Sequence, residues 1–416
     1  MSIDYEHTTS RRRTVSGFLA HCRQLIPALA GQVAYRLAGF ARKITSTSFE
    51  PEPNNVAVIC DSFLRYGSSQ AIGLQHTGWN VTLYYVDRKT EFATSSGDRA
   101  FLLDRARSAG VDVVRISPRH VRSLLRDLVR LHRDLRRRRI AIGVIQSHAD
   151  PRYATLGLTL PTALILHDPA THSGDSVSAL PLTMRLVARF AECTSACLII
   201  HSSLLLDQIR PLLRRVPIGV VPHGAEMALA PAAVPRDRRL LIFGRLFAYK
   251  GVDTALEALD LLPEKLSDVR LIIAGRGPLA ELGRDHPGVE LRDEYISERD
   301  VDDLLDDVRL VLLPYKDATQ SGVGLLAVAR GVPCVVSAAG GLPELVQDSE
   351  PSLVTPPGDA KLLADTIVAH IDHDERLRSA IYHHAAKNYS WPVVAQKLCA
   401  ELCRLGLIDA MVPPRG

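Results

Sequence analysis

Two cations in the second half of the chain are spaced so that they could hold one diphosphate. The stretch "FGRLFAYKG" follows a predicted strand and places Arg245 and Lys250 five residues apart, with Gly244 directly before them. An arginine offers a planar fork of donors and a lysine a point charge, and both bind phosphate oxygens. For an isolated pair, two ordinary solvated side chains are the simpler interpretation. The pair indicates a phosphate site only together with a second motif.

A polar loop further along the chain supplies that second motif. It reads "DATQSG", follows the apolar run "VRLVLLP" and precedes a predicted helix that begins near Gly322. The first backbone amides of a helix have no partner within it, and the helix dipole attracts anions there. Thr319 and Ser321 add hydroxyl groups, and Gln320 adds a side-chain amide. Helix caps and turns use the same residue types, but together with the two cations the loop predicts a phosphate cradle.

Further residues could complete a nucleotide-binding cleft. Gly275 and Gly277 lie in "AGRGP", a glycine-rich loop at the end of another predicted strand. Tyr295 and Ile296 fall in a turn whose backbone groups could contact a flat base. Glu344, in "SAAGGLPELV", stands in the first turn of a predicted helix. Its carboxylate could contact ligand hydroxyls, or it could simply be stabilised by the helix dipole.

The elements that must position these residues alternate along the chain. Short apolar strands such as "VAVIC", "TALIL" and "LLIFG" alternate with amphipathic helical stretches, which is typical of parallel sheets. A chain of 416 residues is too long for one core, and "HGAEMALAPAAVPRDRR" interrupts the alternation as a linker does. The sequence therefore predicts an α/β protein of two doubly wound, Rossmann-like domains facing each other across a cleft. The predicted divisions are an N-terminal extension over 1–50, a first domain over 51–225, a linker over 226–238 and a second domain over 239–390.

The motifs of the second half, in this order and spacing, resemble the C-terminal domain of retaining glycosyltransferases of family 4, which use nucleotide sugars and have the GT-B fold. The stretches that carry the resemblance are "GRLFAYKG", "AGRGP", "EYIS", "LLPYKDATQSGVGLLAVARGVPCVVSAAGGLPE" and "YSWPVVAQKL". The first half is more loosely similar to the family's acceptor domain, through "VAVICDSFLRYGSSQAIGLQHTGWNVTLYYV", "IQSHADP", "LILHDPATHSGD" and "VVPHG". The resemblance also implies that residues 391–416 cross back toward the first domain as a helix.

The resemblance implies a donor sugar nucleotide that is bound mainly by the second domain. Arg245 and Lys250 would hold its diphosphate and stabilise the charge that develops on the leaving group. The amides of Gln320, Ser321 and Gly322 would hold phosphate or sugar hydroxyls. From the first domain, His167 would face the sugar. Its motif "HDPATH" could also be a structural turn. His223 is expected at the hinge between the domains. The remaining acceptor-side candidates are Gly67, Ser68, His148 and Asp168.

Two positions depart from the family pattern. Ala318 and Leu326 stand where many members carry two glutamates, the second of which normally contacts ribose hydroxyls. The departure fits a variant donor site, as in a subgroup with a Thr-Gln-Ser-Gly loop, or a loss of activity. The sequence favours transfer of a sugar, with retention, from a nucleotide-diphosphate sugar to a glycan or lipid-linked acceptor in polysaccharide or cell-envelope biosynthesis. A non-catalytic GT-B subunit that binds a glycan or a partner glycosyltransferase is one alternative, and a GT-B sugar phosphorylase is another.

The composition of the chain indicates the compartment in which the protein is expected to work. The chain is 46% hydrophobic and 23% charged, and none of its apolar runs approaches the length of a membrane span. Seven scattered cysteines suit buried free thiols in a reducing compartment, so a cytoplasmic protein is expected. No metal or other cofactor is expected, because the positions that match the family contain no Asp-x-Asp motif. The nucleotide base, the sugar and the oligomeric state stay open.

Two basic stretches each have more than one interpretation. Residues 1–50 carry apolar residues at helical spacing among arginines, which predicts a membrane-surface helix, an extension packed on the domain or a poorly ordered arm. The window "RHVRSLLRDLVRLHRDLRRRR" predicts a crossover helix whose surplus arginines could also dock on the anionic inner face of the cell membrane or on a lipid-diphosphate acceptor. Nucleic acid is disfavoured because this window contains no aromatic residues. The predicted packed face of the helix consists of Val121, Leu124, Leu125, Leu128 and Leu131.

Overall fold

The protein consists of two α/β units, each built on one parallel sheet. The computed structural model describes residues 50–60, 64–86, 96–117, 123–146, 150–167, 182–209, 216–294, 296 and 300–409. Every strand pairing within the two sheets is parallel. The predicted fold class is therefore confirmed. The N-terminal extension predicted from the first fifty residues lies, apart from Glu50, outside the described residues.

A seven-stranded sheet forms the first domain. Its strands are β1 (Asn55–Cys60), β2 (Asn80–Val86), β3 (Asp112–Ile116), β4 (Ile142–Ile145), β5 (Thr162–Ile165), β6 (Cys197–Ile200) and β7 (Ile218–Val220). They lie in the order β3-β2-β1-β4-β5-β6-β7. Strands β4, β5 and β6 are buried throughout, as expected for a parallel sheet that is covered on both faces. The chain reverses direction across the sheet between β1 and β4, which opens a crevice at the carboxyl ends of these strands.

Helices cover both faces of this sheet. They are α1 (Leu64–His76), α2 (Ser96–Ser108), α3 (Leu124–Arg137), α4 (Pro151–Ala154), α5 (Leu182–Thr194) and α6 (Leu206–Ile209). Leu74 of α1 and Leu103 of α2 belong to the core on one face of the sheet. Leu135 of α3, Tyr153 of α4 and Ala191 of α5 belong to the core on the other face. The helices α3, α4 and α5 therefore form one layer.

The basic helix α3 corrects part of the sequence prediction. Its inward residues include Leu131 and Leu135, which are buried in the core, whereas Leu125 is 75% exposed and Val129 is 37% exposed. Inward positions of a helix recur every three to four residues, and Leu125 follows Leu124 by only one, which turns it by about 100° away from the packed face. Leu125 therefore does not belong to the packed face, and Val121 lies outside the described residues.

A six-stranded sheet forms the second domain. Its strands are β8 (Arg239–Phe243), β9 (Arg270–Ala274), β10 (Val289–Arg292), β11 (Leu310–Leu313), β12 (Cys334–Ser337) and β13 (Val354–Thr355). They lie in the order β10-β9-β8-β11-β12-β13, so the reversal falls between β8 and β11. The loops after these two strands carry the two motifs that predict an anion site. The helices are α7 (Val252–Asp260), α8 (Asp300–Asp306), α9 (Gly322–Val328), α10 (Ala360–His370) and α11 (Glu375–Tyr389).

The chain crosses between the domains twice. The irregular segment after β7 lies on the second domain, where the amide of Ala228 donates to the Ala329 carbonyl at 3.1 Å. After α11, helix α12 (Trp391–Arg404) returns to pack against α1, and its Leu398 is buried in the core of the first domain. A Cβ on Gly224 would stand 2.5 Å from the Trp391 ring, which shows how tightly the junction is packed. Within the described ranges, no helix is both long and apolar enough to span a bilayer.

Candidate active site

Lys250 is a buried cation that follows the first strand of the second domain. A 3₁₀ turn over Ala248–Lys250 brings its side chain inward, where it is 5% exposed. Its Nζ donates to the hydroxyl of Tyr315 and lies 3.5 Å from the carbonyl oxygen of Phe243. It also stands 4.3 Å from the centre of the Tyr315 ring, within the range of a cation–π contact. An amine is thus held at the carboxyl edge of the sheet, between β8 and the loop after β11.

Burial and a neighbouring charge change the pKa of this amine. Burial, and to a smaller extent the charge of Arg245, lower the pKa of Lys250 to about 7. Removing an ammonium from water disfavours its charged form, and a second cation nearby does the same. Arg245 is exposed on the same loop, with its Cζ 5.7 Å from the centre of the Phe247 ring. A bound diphosphate would offset both effects and raise the pKa of Lys250 again.

Tyr315 connects Lys250 to the polar loop before α9, and the sequence analysis missed it. Its Oη lies 3.2 Å from Ser321 Oγ, which in turn accepts from the Gly324 amide at 3.1 Å. Burial raises the pKa of Tyr315, so the residue stays a neutral hydroxyl. The one available signal is its position directly after the proline that follows β11, at the reversal point of the sheet.

The polar loop itself is held partly by its own side chains. Ser321 is the N-cap of α9, and both Thr319 and Ser321 are 3% exposed, so their hydroxyls do not point to solvent. Gly322 borders open space, since a Cβ there would meet nothing within 4 Å. The Nε2 of Gln320 lies 3.5 Å from the His201 carbonyl of the first domain. Gln320 and Gly322 therefore stand at the gap between the domains, and Ser321 has a structural role as a helix cap.

The predicted glycine-rich loops contact each other through their backbones. Gly275 has a φ of +133°, and a Cβ on it would lie 1.9 Å from the Gly244 carbonyl oxygen. The amide of Gly244 donates to Ala274 at 2.9 Å. A Cβ on Gly277 would in turn lie 2.4 Å from the carbonyl oxygen of Leu246. These glycines are thus required for the close approach that supports the loop carrying Lys250, and their contact with a donor stays a prediction.

His167 follows β5 and joins a polar cluster in the first domain. Its Nε2 lies 2.8 Å from Gln146 Oε1, and its Nδ1 lies 3.3 Å from His201 Nε2. The ring of Tyr66 meets the ring of His167 edge-on, with 4.7 Å between their centres. The hydroxyl of Tyr66 is buried and has no hydrogen-bond partner among the described residues. Sequence reasoning found only His167, although Gln146 and His201 also directly follow strands.

The junction between the domains lies beside this cluster. His223, predicted at the hinge, stands with its ring centre 4.4 Å from that of Tyr66. The ring of Trp391, at the start of α12, meets the same tyrosine at 4.9 Å. His167 is thus supported by residues whose positions depend on how the two domains meet.

Glu344 connects the domains directly. Its Oε1 accepts from Ser202 Oγ at 2.8 Å and lies 3.3 Å from Ser203 Oγ, both in the segment after β6. Burial raises the pKa of Glu344, and the two serine hydrogen bonds oppose that shift. The residue lies in the 3₁₀ turn Leu342–Leu345, which faces the first domain. Its Oε1 is therefore engaged with the first domain, and the contact of Glu344 with donor hydroxyls stays a prediction.

The structure corrects the expectation for Gly67 and Ser68. Both lie inside α1, which begins at Leu64. Ser68 is fully buried and donates to the Arg65 carbonyl at 3.0 Å, and a Cβ on Gly67 would stand 2.9 Å from Cys60 Sγ. Neither residue reaches an acceptor from this position.

Three other predicted site residues are not described. Tyr295, His148 and Asp168 lie outside the described residues, so their predicted roles stay predictions. Ile296 is described, and its side chain packs against the core of the second domain.

The two positions that depart from the family pattern have different surroundings. Ala318 is 5% exposed, and its carbonyl oxygen would stand 1.8 Å from a Cβ on Gly340. Leu326 instead lines a cavity of about 360 Å³ between the domains. That cavity is also bordered by Phe101 and Arg105 of α2. The leucine thus replaces a carboxylate at a position that is open to the interdomain gap.

Comparisons with known proteins agree with this arrangement. Residues 237–373 match the model of the family described as glycosyl transferases group 1. The chain is 32% identical to a D-inositol 3-phosphate glycosyltransferase of Corynebacterium efficiens over 44% of this chain and 49% of that protein. It is 29% identical to a phosphatidyl-myo-inositol mannosyltransferase of Mycobacterium leprae over 44% of this chain and 51% of the relative. The chain therefore spans about half the length of these curated relatives.

A likeness in structure extends over both domains. The chain is similar to HepE of Anabaena, crystallised in complex with UDP-glucose, with a TM-score of 0.62 and 16% identity. The likeness covers 84% of this chain and 99% of HepE. At this identity it establishes the fold, which is GT-B, and the family match lies on the domain that carries Lys250.

Proposed function

We propose that the protein is a glycosyltransferase that moves a sugar from a nucleoside-diphosphate sugar to a glycan or lipid-linked acceptor. The observation that carries the proposal is the buried amine of Lys250. It is bonded to Tyr315, connected through Ser321 to the start of α9, and accompanied by Arg245. A buried cation needs a compensating negative charge, and a diphosphate between the two loops supplies one.

In this proposal, the two cations act on the leaving group. The bond between the anomeric carbon and the phosphate oxygen breaks, and the acceptor hydroxyl forms the new bond at that carbon. The proton of that hydroxyl passes to the leaving phosphate, so the route uses no protein nucleophile and is compatible with retention. Negative charge grows on the diphosphate as the bond breaks, and Lys250 and Arg245 stabilise it without a resident metal.

His167 is proposed to position the sugar from the first domain. Its bond to Gln146 and its contact with His201 hold the ring in one orientation. Both ring nitrogens are engaged in these contacts, so the fixed ring would shape the wall beside the sugar at low entropic cost and would not bond a sugar hydroxyl itself. The predicted cytoplasmic location, with contact at the inner face of the membrane, stays part of the proposal. The names of the two curated relatives favour an inositol-containing or lipid-linked acceptor for this chain as well.

A turnover assay tests the proposal. Purified protein is incubated with UDP-, GDP- and ADP-sugars in turn, with a membrane lipid extract as acceptor, and nucleoside diphosphate release is measured. We expect release with one nucleotide class, and a fall of at least about a hundredfold in kcat for Lys250→Ala. Lys265→Ala, which removes an exposed lysine of the same domain, is the matched control and should be unaffected. Equal turnover by both variants would contradict the role of Lys250.

The interdomain position of Leu326 favours a second candidate, a non-catalytic subunit that binds a glycan or a partner glycosyltransferase. A ribose would lose a carboxylate partner there, which lowers donor affinity. Calorimetry with the same nucleotides separates the two candidates. Nucleotide binding with turnover supports the enzyme, whereas glycan binding with no detectable nucleotide affinity supports the subunit.

A further inference from the structure

Leu326 lies one helical turn beyond the point where α9 approaches the loop of Lys250. A Cβ on Gly244 would stand 3.4 Å from Val323 Cγ2 and 3.7 Å from Lys250 Nζ, so this side of α9 faces that loop. Leu326 follows Val323 by three residues and therefore lies on the same side of the helix. At the rise of an α-helix it stands about 4.5 Å further along the axis.

The cavity beside Leu326 has room for the part of a ligand that extends beyond the diphosphate. It measures about 360 Å³, within the usual range of small-molecule sites, and it lies between the domains. Its apolar border includes Met227 and Leu229 from the segment after β7 and Phe101 from α2. Leu229 and Phe101 are both exposed. The cavity thus offers several apolar contacts close to the proposed clamp.

Two of the carboxylates that border this cavity are already bonded to arginines. Glu226 forms an ion pair with Arg105, whose Nη2 also donates to Ser69 Oγ at 3.1 Å. Asp302 forms an ion pair with Arg330 at 3.1 Å. The position on α9 that lies nearest along the helix to the clamp side carries a leucine, which can neither donate nor accept a hydrogen bond.

We infer that the donor is a sugar carried by a 2′-deoxyribonucleoside diphosphate, and that the site does not select ribose. The inference rests on the proposed function, because the Lys250 loop places the diphosphate. The nucleoside sugar is bonded directly to the first phosphate, so it lies about one helical turn from the clamp, beside Leu326. A hydroxyl placed there exchanges water for an apolar wall and loses hydrogen bonds. A 2′-deoxyribose presents a methylene group instead, which gains from the same contact.

Titration calorimetry of the full chain with matched nucleotide pairs tests the inference. The pairs are UDP with dUDP, GDP with dGDP and ADP with dADP, and dTDP is added as a further deoxynucleotide. For the base that the protein prefers, the 2′-deoxy form should bind about threefold more tightly or better, which is the gain expected from one buried methylene. Each pair differs in one hydroxyl, so the ratio of the two Kd values isolates the contribution of the 2′ position.

A carboxylate restored at Leu326 should reverse this preference. In Leu326→Glu, the Kd ratio should change by about tenfold in favour of the ribonucleotide, because a charged acceptor then faces the diol. Leu229→Glu is the matched control, since it places the same charge at an exposed position on the border of the same cavity. Its Kd ratio should equal that of wild type, even where repulsion of the diphosphate weakens both nucleotides. Circular dichroism and thermal melting verify that both variants are folded.

The possible results separate this inference from the proposed function. A wild type that binds the ribonucleotide as tightly as its 2′-deoxy form, or more tightly, would overturn the inference and leave a nucleotide-binding protein. The same Kd ratio in Leu326→Glu as in wild type would also overturn it, because the nucleoside sugar would then lie away from Leu326. A wild type that binds none of these nucleotides would contradict the proposed function, and the inference would fall with it.

Discussion

Lys250 combines burial, a hydroxyl partner and a neighbouring cation, and this combination makes its charge depend on a ligand. A surface lysine would stay protonated at any physiological pH, whereas the pKa of this one is lowered to about 7. The ligand-free site can therefore hold a neutral amine, and a bound diphosphate would recharge it. Two predictions at this scale follow from the pKa, and a third follows from the hydroxyl of Tyr315.

Nucleotide affinity should fall as the pH rises through about 7. Free protein loses the Lys250 proton in this range, and binding a diphosphate then requires that the proton be taken up again. Titration calorimetry of the preferred nucleoside diphosphate from about pH 6 to about pH 9 measures the slope. Lys250→Met should bind weakly with a flatter profile, and a wild-type slope in that variant would assign the titration to another group.

The stability of the ligand-free protein should change with the opposite sign. The folded pKa of Lys250, about 7, lies below the value of about 10.4 in an unfolded chain. Between these values the unfolded state binds more protons, so the contribution of Lys250 to the free energy of unfolding rises with pH across this window. Urea unfolding of wild type and of Lys250→Met at both ends of the window measures the difference. A pH-independent difference between the two proteins would contradict a lowered pKa.

Tyr315→Phe should weaken both the stability of the fold and the binding of a nucleotide. The change removes the hydroxyl that accepts from Lys250 and contacts Ser321, which costs about 1 to 3 kcal/mol of unfolding free energy. We also expect about a tenfold loss in nucleotide affinity, since both loops lose their connection. Tyr382→Phe, which loses a 2.7 Å hydrogen bond to the Ala228 carbonyl, is a control for stability alone. Equal nucleotide affinity in the two variants would argue against the role of Tyr315.

At the scale of elements, the sequence predicted the location of the candidate site better than the contacts between its residues. Apolar runs identify the strands, and parallel sheets bring their carboxyl ends to one edge, which is why Lys250 and Gln320 could be placed in one site. Tyr315 and His201 were missed because their roles arise from contacts between distant segments. Leu125 was misplaced because a dense run of leucines hides which ones face inward.

Gly251 offers a test of how the loop after β8 is built. It has a φ of +67°, and a Cβ there would stand 2.0 Å from the Pro314 carbonyl oxygen. Gly251→Ala should therefore lower the free energy of unfolding by about 1 to 2 kcal/mol, because alanine is strained in the left-handed conformation. Displacing the Pro314 backbone should lower it by at least about 2 kcal/mol more. Gly358→Ala, at a φ of +75° with nothing within 4 Å, should cost the strain alone. Denaturant melts compare the two, and equal costs would mean that the loop is not pressed against β11.

At the scale of the whole molecule, polar contacts between described residues hold the cleft side of the two domains together. Glu344 accepts from Ser202 and Ser203, and Gln320 approaches His201. On the other side, α12 packs firmly into the first domain. The described residues thus fasten the molecule by apolar packing at the junction and by polar contacts at the cleft, which is suited to opening for substrate exchange.

Glu344→Ala should shift the protein toward a more open arrangement. It removes the carboxylate that holds two serines of the first domain, with no change in the core of either sheet. Small-angle scattering should give a larger radius of gyration for Glu344→Ala than for wild type. Asp348→Ala, an exposed carboxylate nearby, is the matched control. The same radius in all three proteins would mean that this contact does not hold the cleft closed.

The central claim is that Lys250 and the loop before α9 form one diphosphate clamp. A thermal-shift panel with UDP, GDP and ADP and their sugars tests it most directly, because a ligand that binds only the folded state raises the melting temperature. At a hundredfold excess over Kd, the stabilisation would be about 2.7 kcal/mol. We expect a clear shift with one nucleotide that Lys250→Ala loses and Lys265→Ala keeps. A shift of equal size in Lys250→Ala, or no shift with any nucleotide in wild type, would contradict the account.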